Sequence, residues 1–376
     1  MKRILILMAD YGYGHRSAAN AISAALQETH PHECVVEVVN PLNDKRAPAF
    51  LKKDQANYDR IIRQMPELYR FGYQVSDTSV AANIIENTAT LLLFNVFRET
   101  LNKYQPDAIV CTYPLYQAIL QVIFSIEKRH IPVFTVVTDL ATVHKMWFNP
   151  TVDMCLVPTQ TVHDLAINSG LPPEKVKITG LPVHPALAKG RQEQAAIRAN
   201  LGWRSDVFTV LAIGSKRVEH LYDSLSVLNH SGLPLQLAIV AGGDEALYQR
   251  LQETKWHQEA HLYNFVTDMP AFLRGADCVL GKAGGLTVTE TLACGLPLIL
   301  VSVIPGQETG NADYVVHGGA GDLAQSPVEV LEVMCHWLEN GRELYNKRVQ
   351  NACSLGYPRA AYDVADLIWA AAKETG

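Results

Sequence analysis

Several groups of residues in this chain have the types and spacing that chemistry needs, and the densest lies between Gly281 and Asn311. There an apolar run from Asp277 to Leu280 leads into Gly281-Lys282-Ala283-Gly284-Gly285, after which Leu286, Thr289, Leu292 and Ala293 recur at helical spacing. Glycines at a strand-to-helix turn aim free backbone N–H groups and the positive end of the helix at one point, a geometry that suits a phosphate. Lys282 adds a cation inside the turn, and Glu290, one turn into the helix, can accept from a vicinal diol such as a ribose. A second apolar run, Leu296 to Val303, ends in Pro305-Gly306-Gln307-Glu308, an amide and a carboxylate side by side at the strand end where open α/β sheets bind ligands. Taken singly, KAGG could be only a tight turn and Gln307-Glu308 a solvated loop. Together with a second glycine turn near the N-terminus, they point to a nucleotide-sugar site.

That second turn, Ala9-Asp10-Tyr11-Gly12-Tyr13-Gly14-His15-Arg16-Ser17, follows the apolar strand Arg3 to Met8 and feeds a helix with Ala18, Ile22 and Ala25 inward. Its Gly12-x-Gly14 is half a dinucleotide fingerprint. The third glycine is missing, and the next strand (Val35 to Val39) ends in Asn40 where an acidic ribose ligand belongs, which disfavours a plain NAD site. His15 stands at the mouth of the turn, where a near-neutral imidazole can act as a base; a lone histidine is also often a structural residue. Thr138 to Phe148 is a polar and aromatic loop at the end of the strand Pro132 to Val137, with Asp139 able to orient a histidine or meet an acceptor hydroxyl. A third turn, Gly214-Ser215-Lys216-Arg217 after the strand Phe208 to Ile213, is of phosphate size, with two cations in place of further glycines. The metal patterns Asp-x-Asp, H-x-x-H and H-E-x-x-H are absent, as are G-x-S-x-G and the P-loop, so neither a metal site nor the common hydrolase and NTPase readings are indicated.

The elements that position these groups alternate as βα units. Strands are expected at Asp107 to Cys111, Asp153 to Val157 and Val176 to Thr179, then at Leu235 to Val240 and Leu262 to Val266, with helices from Leu115 to Ile126, after Thr159, and from Val328 onward. At 376 residues and 48% hydrophobic, the chain is long enough for two domains. The fold class is α/β: two doubly wound Rossmann-like domains facing a cleft. Residues 1–183 form the N-terminal domain, 184–355 the C-terminal one, and 356–376 a helix, with Ala361, Val364, Ala365, Ile368 and Ala372 in phase, that returns to the first. The breaker-rich Gly180 to Pro185 reads as the linker. Residues 41–105 interrupt the rhythm with a mostly helical insertion. Tyr58, Ile61, Ile62, Met65, Leu68 and Tyr69 fall in phase, flanked by Lys52, Lys53, Arg60, Arg63 and Arg70, and an apolar cluster spans Leu91 to Phe97. These helices either pack on the sheet or dip into an anionic membrane interface.

A net charge of -6 and the lack of zinc-finger or basic-helix patterns give no reason to bind nucleic acid. Seven scattered cysteines without C-x-x-C read as reduced core thiols, and no apolar run nears the roughly 20 residues of a spanning helix. With no signal segment evident, the expected location is cytoplasmic.

The runs YGYGHRSAANAI, VTDLATVHKMWF, DMCLVPT, KITGLPVHP, NFVTDMP, KAGGLTVTETLACGLPLIL and PGQETGN together resemble the monogalactosyldiacylglycerol synthases and processive diacylglycerol glucosyltransferases. These are grouped with the peptidoglycan lipid-intermediate N-acetylglucosaminyltransferase as inverting, two-Rossmann-domain (GT-B) enzymes. The resemblance implies that Lys282, Gly284, Gly285 and Thr287 contact the diphosphate, Glu290 the ribose, Gln307 and Glu308 the donor hexose, and the backbone at Phe265 and Val266 the uracil. It also implies Asn311, Gly214, Ser215 and Lys216 on the donor side. His15 becomes the candidate base, and Gly12, Gly14, Thr142, His144 and Trp147 belong to the acceptor side. Where the family carries a G-G-G-type turn, this chain has Gly214-Ser215-Lys216-Arg217.

The reading is a transferase that moves galactose or glucose from a UDP-sugar, a substrate and not a cofactor, to diacylglycerol. It needs no metal and works peripherally on the inner face of an anionic membrane. The rivals are a UDP-sugar epimerase of the same fold and a nucleotide-sugar-binding protein without chemistry. Within the leading reading, His15 is the base, or it only hydrogen-bonds the donor while Asp139 is the base.

Overall fold

The computed structural model of the protein describes residues 1–10, 13–48, 79–190, 193–218, 220–306 and 308–374. The chain forms two compact units, Met1–Pro185 with Arg359–Gly376, and Ala186–Pro358. In the first unit the strands β1 (Lys2–Leu7), β2 (Cys34–Val39), β3 (Ala108–Cys111), β4 (Val133–Val136), β5 (Met154–Val157) and β6 (Val176–Ile178) make one sheet in the order β2-β1-β3-β4-β5-β6. Every pairing is parallel.

Successive side chains of a strand point to opposite faces, so an unbroken apolar run serves two cores. Leu5, Leu7, Ile109 and Cys111 join one core with Leu93 and Phe97 of the helix Ser79–Tyr104 and Ile119 and Ile123 of the helix Tyr116–Glu127. Their neighbours Ile4, Ile6, Ala108 and Val110 face the other way and pack on Ile22 and Leu26 of the helix Tyr13–Thr29 and on Val364, Ile368 and Trp369 of the last helix, Ala360–Glu374.

The second unit holds β7 (Phe208–Ile213), β8 (Leu235–Val240), β9 (Glu259–Tyr263), β10 (Cys278–Lys282), β11 (Leu298–Ser302) and β12 (Gly321–Leu323), again all parallel, in the order β12-β11-β10-β7-β8-β9. The chain leaves β7 toward one edge and later returns to β10 on its other side. Connections therefore diverge between β7 and β10, and likewise between β1 and β3. At such switch points a crevice opens at the carboxyl ends of the strands. The α/β class and the two doubly wound Rossmann-like units read from the sequence are both present.

Three local readings need correction, and one strand was not foreseen. The strand expected at Leu262 to Val266 is Glu259–Tyr263: its partner β8 stops at Val240, opposite Tyr263, and beyond it the chain turns at Gly242 and Gly243, where Gly243 N still donates to the Asn264 carbonyl at 3.0 Å but the ladder ends. The short edge strand β12 carries no apolar run and was not expected. Lys282 is the last residue of β10 and not part of the turn, so the turn narrows to Ala283 and Gly284. The cluster Leu91 to Phe97 divides: Leu93, Val96 and Phe97 are buried, whereas Leu91 and Leu92 are exposed. The stripe from Tyr58 to Tyr69 and the cations Lys52, Lys53, Arg60, Arg63 and Arg70 lie outside the described residues. None of the cysteines forms a disulfide, and no group of residues able to hold a metal occurs among the described ones.

Candidate active site

In the second unit the turns after β7 and β10 stand at the switch point. Close packing around the end of β7 explains two glycines, Gly242 in the turn after β8 and Gly281 within β10. Gly242, at φ +66, would place a Cβ 2.1 Å from the carbonyl oxygen of Gly214, and a Cβ on Gly281 would lie 3.3 Å from that of Ile213. The helix Gly285–Ala293 begins behind Gly284, an N-cap with no side-chain hydrogen bond, which leaves its first N–H groups to a ligand. Two side chains bind the distant PGQETGN segment to this turn. Lys282 Nζ pairs with Glu308 Oε1, and Asn311 Nδ2 donates to the carbonyl of Ala283 at 2.9 Å. Glu308 is 3% exposed, and its other oxygen accepts from Ile304 N at 3.1 Å. Both carboxylate oxygens that were expected to face a sugar are thus engaged, one by Lys282 at the end of β10 and one by the backbone of Ile304.

Glu290 lies in the second turn of the helix, where burial pushes its carboxyl up to about 7. Thr287 is half-buried in the first turn, and its carbonyl accepts from Thr291 Oγ1 at 2.6 Å. In the altered turn, Gly214 is buried, Ser215 Oγ accepts from Arg217 N at 3.3 Å, and Lys216 is exposed. Phe265 and Val266 lie in the loop past β9, with Phe265 exposed. Gln307 lies outside the described residues, as does Gly12.

In the first unit His15 occupies the first turn of the helix Tyr13–Thr29, beside the ends of β3 and β4. Its Nδ1 is 2.7 Å from Thr138 Oγ1, and its backbone carbonyl accepts from Thr112 Oγ1 at 3.1 Å. Tyr113 meets the ring edge-on at 5.2 Å between centroids, and Trp147 stands 5.9 Å away. The indole N–H of Trp147 donates to Asp139 Oδ2 at 2.8 Å. Desolvation lowers the His15 pKa to about 4 against a smaller opposing pull from the Thr112 backbone, so the near-neutral imidazole expected from the sequence is instead uncharged through the physiological range. Desolvation raises Asp139 to about 6, with the Trp147 hydrogen bond opposing. His144 is buried and accepts from Met146 N at 3.2 Å, capping the short 3-10 turn Lys145–Trp147. Thr142 is exposed, and Gly14 has open space where a Cβ would stand.

Sequence reasoning missed Thr112, Tyr113 and Thr138. The partner that engages the His15 ring is Thr138, whereas Asp139 was read as able to orient it. A threonine just past each of two strand ends was visible, but nothing in the sequence said that β3 lies beside β1 and β4 beside β3. The base of the turn is braced too: Asp10 pairs with Arg16 and accepts from Asn40 Nδ2 at 2.9 Å.

The family profile described as monogalactosyldiacylglycerol (MGDG) synthase matches residues 15–183, and that of the glycosyltransferase family 28 C-terminal domain matches residues 215–348. A probable monogalactosyldiacylglycerol synthase, chloroplastic, of Glycine max is 32% identical over 373 residues, covering 96% of this chain and 70% of that protein. Among solved structures, MurG of Acinetobacter baumannii superposes with a TM-score of 0.62 at 14% identity, covering 98% of this chain and 100% of that one. UDP-GlcNAc 2-epimerase of Neisseria meningitidis, bound to UDP-GlcNAc, gives the same four values. At that identity these two show the fold alone, and the fold does not separate transferase from epimerase; the sequence relatives do. With two doubly wound parallel sheets and these sequence relatives, the protein is a glycosyltransferase of the GT-B type. The chain belongs to the monogalactosyldiacylglycerol synthase family.

Proposed function

We propose that the protein transfers a hexose from a UDP-sugar to the 3-hydroxyl of 1,2-diacylglycerol with inversion at the anomeric carbon, giving a β-glycosyldiacylglycerol. The observation that carries this reading is the likeness, over 96% of the chain, to a relative named for that lipid product, a name that favours galactose over glucose. In this reading the second unit holds the donor: uracil on the backbone at Phe265 and Val266, ribose on Glu290, diphosphate on the N–H groups of Gly284 to Thr287, and hexose on Gln307 and Glu308. No metal is needed, because Lys282, Lys216 and the helix end meet the charge of the departing UDP. Lys282 exchanges its partner Glu308 for phosphate as the donor enters, which frees the Glu308 carboxylate for a sugar hydroxyl.

The first unit supplies the base. His15 Nε2 takes the acceptor proton while the lipid oxygen bonds to the anomeric carbon and the bond to the diphosphate oxygen breaks on the opposite face. The lipid is met at an anionic membrane surface, on the cytoplasmic inner face. In support, Leu91 and Leu92 are exposed on the helix Ser79–Tyr104, and no helix among the described residues is long and apolar enough to cross a membrane.

The test incubates the protein with radiolabelled UDP-galactose or UDP-glucose, with EDTA, and with or without diacylglycerol vesicles. A β-linked glycolipid formed only with diacylglycerol is the expected product. A changed sugar nucleotide without lipid would instead establish an epimerase, UDP binding without turnover a binding protein, and an α-linked product would refute inversion.

A further inference from the structure

The imidazole of His15 has aromatic rings near it, Tyr113 at 5.2 Å and Trp147 at 5.9 Å, but a ring contact does not decide which nitrogen carries the proton. A neutral imidazole has one N–H and one lone pair, and only the nitrogen with the lone pair can act as a base. Thr138 Oγ1 stands 2.7 Å from Nδ1. Thr138 is 7% exposed and sits two residues past β4, where the sheet fixes its backbone. Thr112, just past the neighbouring strand β3, holds the His15 main chain through its carbonyl at 3.1 Å. Backbone and ring of one histidine are thus held by threonines from the ends of two adjacent strands.

We infer that Thr138 is the positioning residue of this site: its hydroxyl oxygen accepts from Nδ1–H, fixes the ring and keeps the lone pair on Nε2. This rests on the reading of His15 as the base. Free histidine favours the opposite tautomer, with the proton on Nε2, so a site that uses Nε2 as a base needs a partner that retains the proton on Nδ1. A buried hydroxyl at 2.7 Å is such a partner, and it adds no charge that would compete with the proton taken from the acceptor. Valine has nearly the shape of threonine without the oxygen, and serine keeps the oxygen without the methyl group. The two substitutions therefore separate hydrogen bonding from packing.

The test uses the full-length protein labelled with 15N at histidine. In the wild type the His15 resonances, assigned by their loss in His15→Gln, should show a protonated Nδ1 and an unprotonated Nε2. In Thr138→Val the proton should move to Nε2 or average between the two nitrogens. Turnover should fall about 10–100-fold, the cost typical of removing a partner that orients an imidazole, with KM for the UDP-sugar unchanged. Thr138→Ser should restore both the tautomer and most of the turnover. A wild type protonated on Nε2, or a folded Thr138→Val with the wild-type tautomer and turnover, would overturn the assignment. If Thr138→Val does not fold, the wild-type and Thr138→Ser spectra still decide it. The spectra need no turnover, so a protein inactive toward every UDP-hexose and diacylglycerol would refute the transfer reaction and leave Thr138 to be judged on the tautomer alone.

Discussion

Glu290 is a carboxylate inside a helix with no cation paired to it among the described residues, and its titration is therefore governed by burial. Its pKa is raised from 4.5 to about 7, so between those values the folded chain binds a proton that the unfolded chain has released. This group's contribution to stability is complete at the acid end of that window and is lost as pH rises through about 7. Glu290→Gln removes the ionisation and keeps the shape. Its melting temperature should gain on the wild type between pH 5 and pH 8, and a difference independent of pH would refute the assignment. Ribose hydroxyls donate to the ionised form, so UDP affinity should rise over the same interval in the wild type and lose that dependence in Glu290→Gln. Glu290→Ala should weaken UDP binding by roughly 1–3 kcal/mol in calorimetry, the scale of a lost charged hydrogen bond. His15 runs in the opposite sense. Its pKa falls from 6.5 to about 4, so its contribution is present above 6.5 and is lost as pH drops toward 4. His15→Ala should cost about 10²–10⁴-fold in turnover with UDP binding unchanged. Lost UDP-sugar binding would make His15 a donor ligand, and a dead Asp139→Asn beside a normal His15→Ala would give Asp139 the proton.

Helices and strands here are joined by polar groups that hydrophobic periodicity does not show. Arg198, on the helix Gln194–Leu201, is 4% exposed; its Nη2 pairs with Asp277 Oδ2 at 2.6 Å and its Nε donates to the carbonyl of Gly275 at 2.7 Å. Asp277 Oδ2 also accepts from Thr209 N at 2.8 Å, which ties the start of β10 to β7. Removing one member strands the other charge in the interior, so Arg198→Met should lower unfolding stability by about 3–5 kcal/mol, read by urea denaturation. A loss under about 1 kcal/mol would show the pair to be solvated. The strand-to-helix turns were legible as turns because their glycines fall between an apolar run and a helical period, and most strands were legible from their apolar runs. Arg198 and Asp277 were not, since their partnership spans 79 residues and exists only once the sheet order does. The edge strands of the first unit, β2 and β6, were read to within a residue, whereas those of the second, β9 and β12, were read worst. β9 carries Glu259 and His261 toward partial solvent, so its pattern is weaker than that of the three residues after it. On the helix Ser79–Tyr104 the apolar run was clear but its sidedness was not. The exposed pair gives a test: Leu91→Glu with Leu92→Glu should leave the melting temperature unchanged and reduce vesicle binding, whereas unchanged vesicle binding would remove this helix from the membrane contact.

The chain as a whole crosses from one unit to the other and comes back, and its last segment belongs to the core of the first. Ala361, Val364, Ala365, Ile368 and Ala372 are all buried, as their spacing predicts, and Trp369, which the spacing did not single out, closes the row by stacking on His30 at 4.3 Å. Tyr362 adds a hydrogen bond to Glu28 at 2.8 Å. Burying a valine, an isoleucine and a tryptophan at roughly 1.5–3 kcal/mol each, with three alanines besides, amounts to a large part of the 5–15 kcal/mol that holds a typical domain folded. The same helix covers Ile4, Ile6, Ile22 and Leu26, which carry β1 and the helix that begins at the His15 turn. Deleting residues 359–376 should therefore unfold the first unit while the second, whose core draws on no residue of that helix, keeps its structure and its UDP affinity. Calorimetry of the truncated chain should show one melting transition in place of two, activity lost, and UDP still raising the temperature of the transition that remains. A truncated chain that retains both transitions would show the helix to be dispensable, and one that loses UDP binding as well would show that the two units do not fold independently.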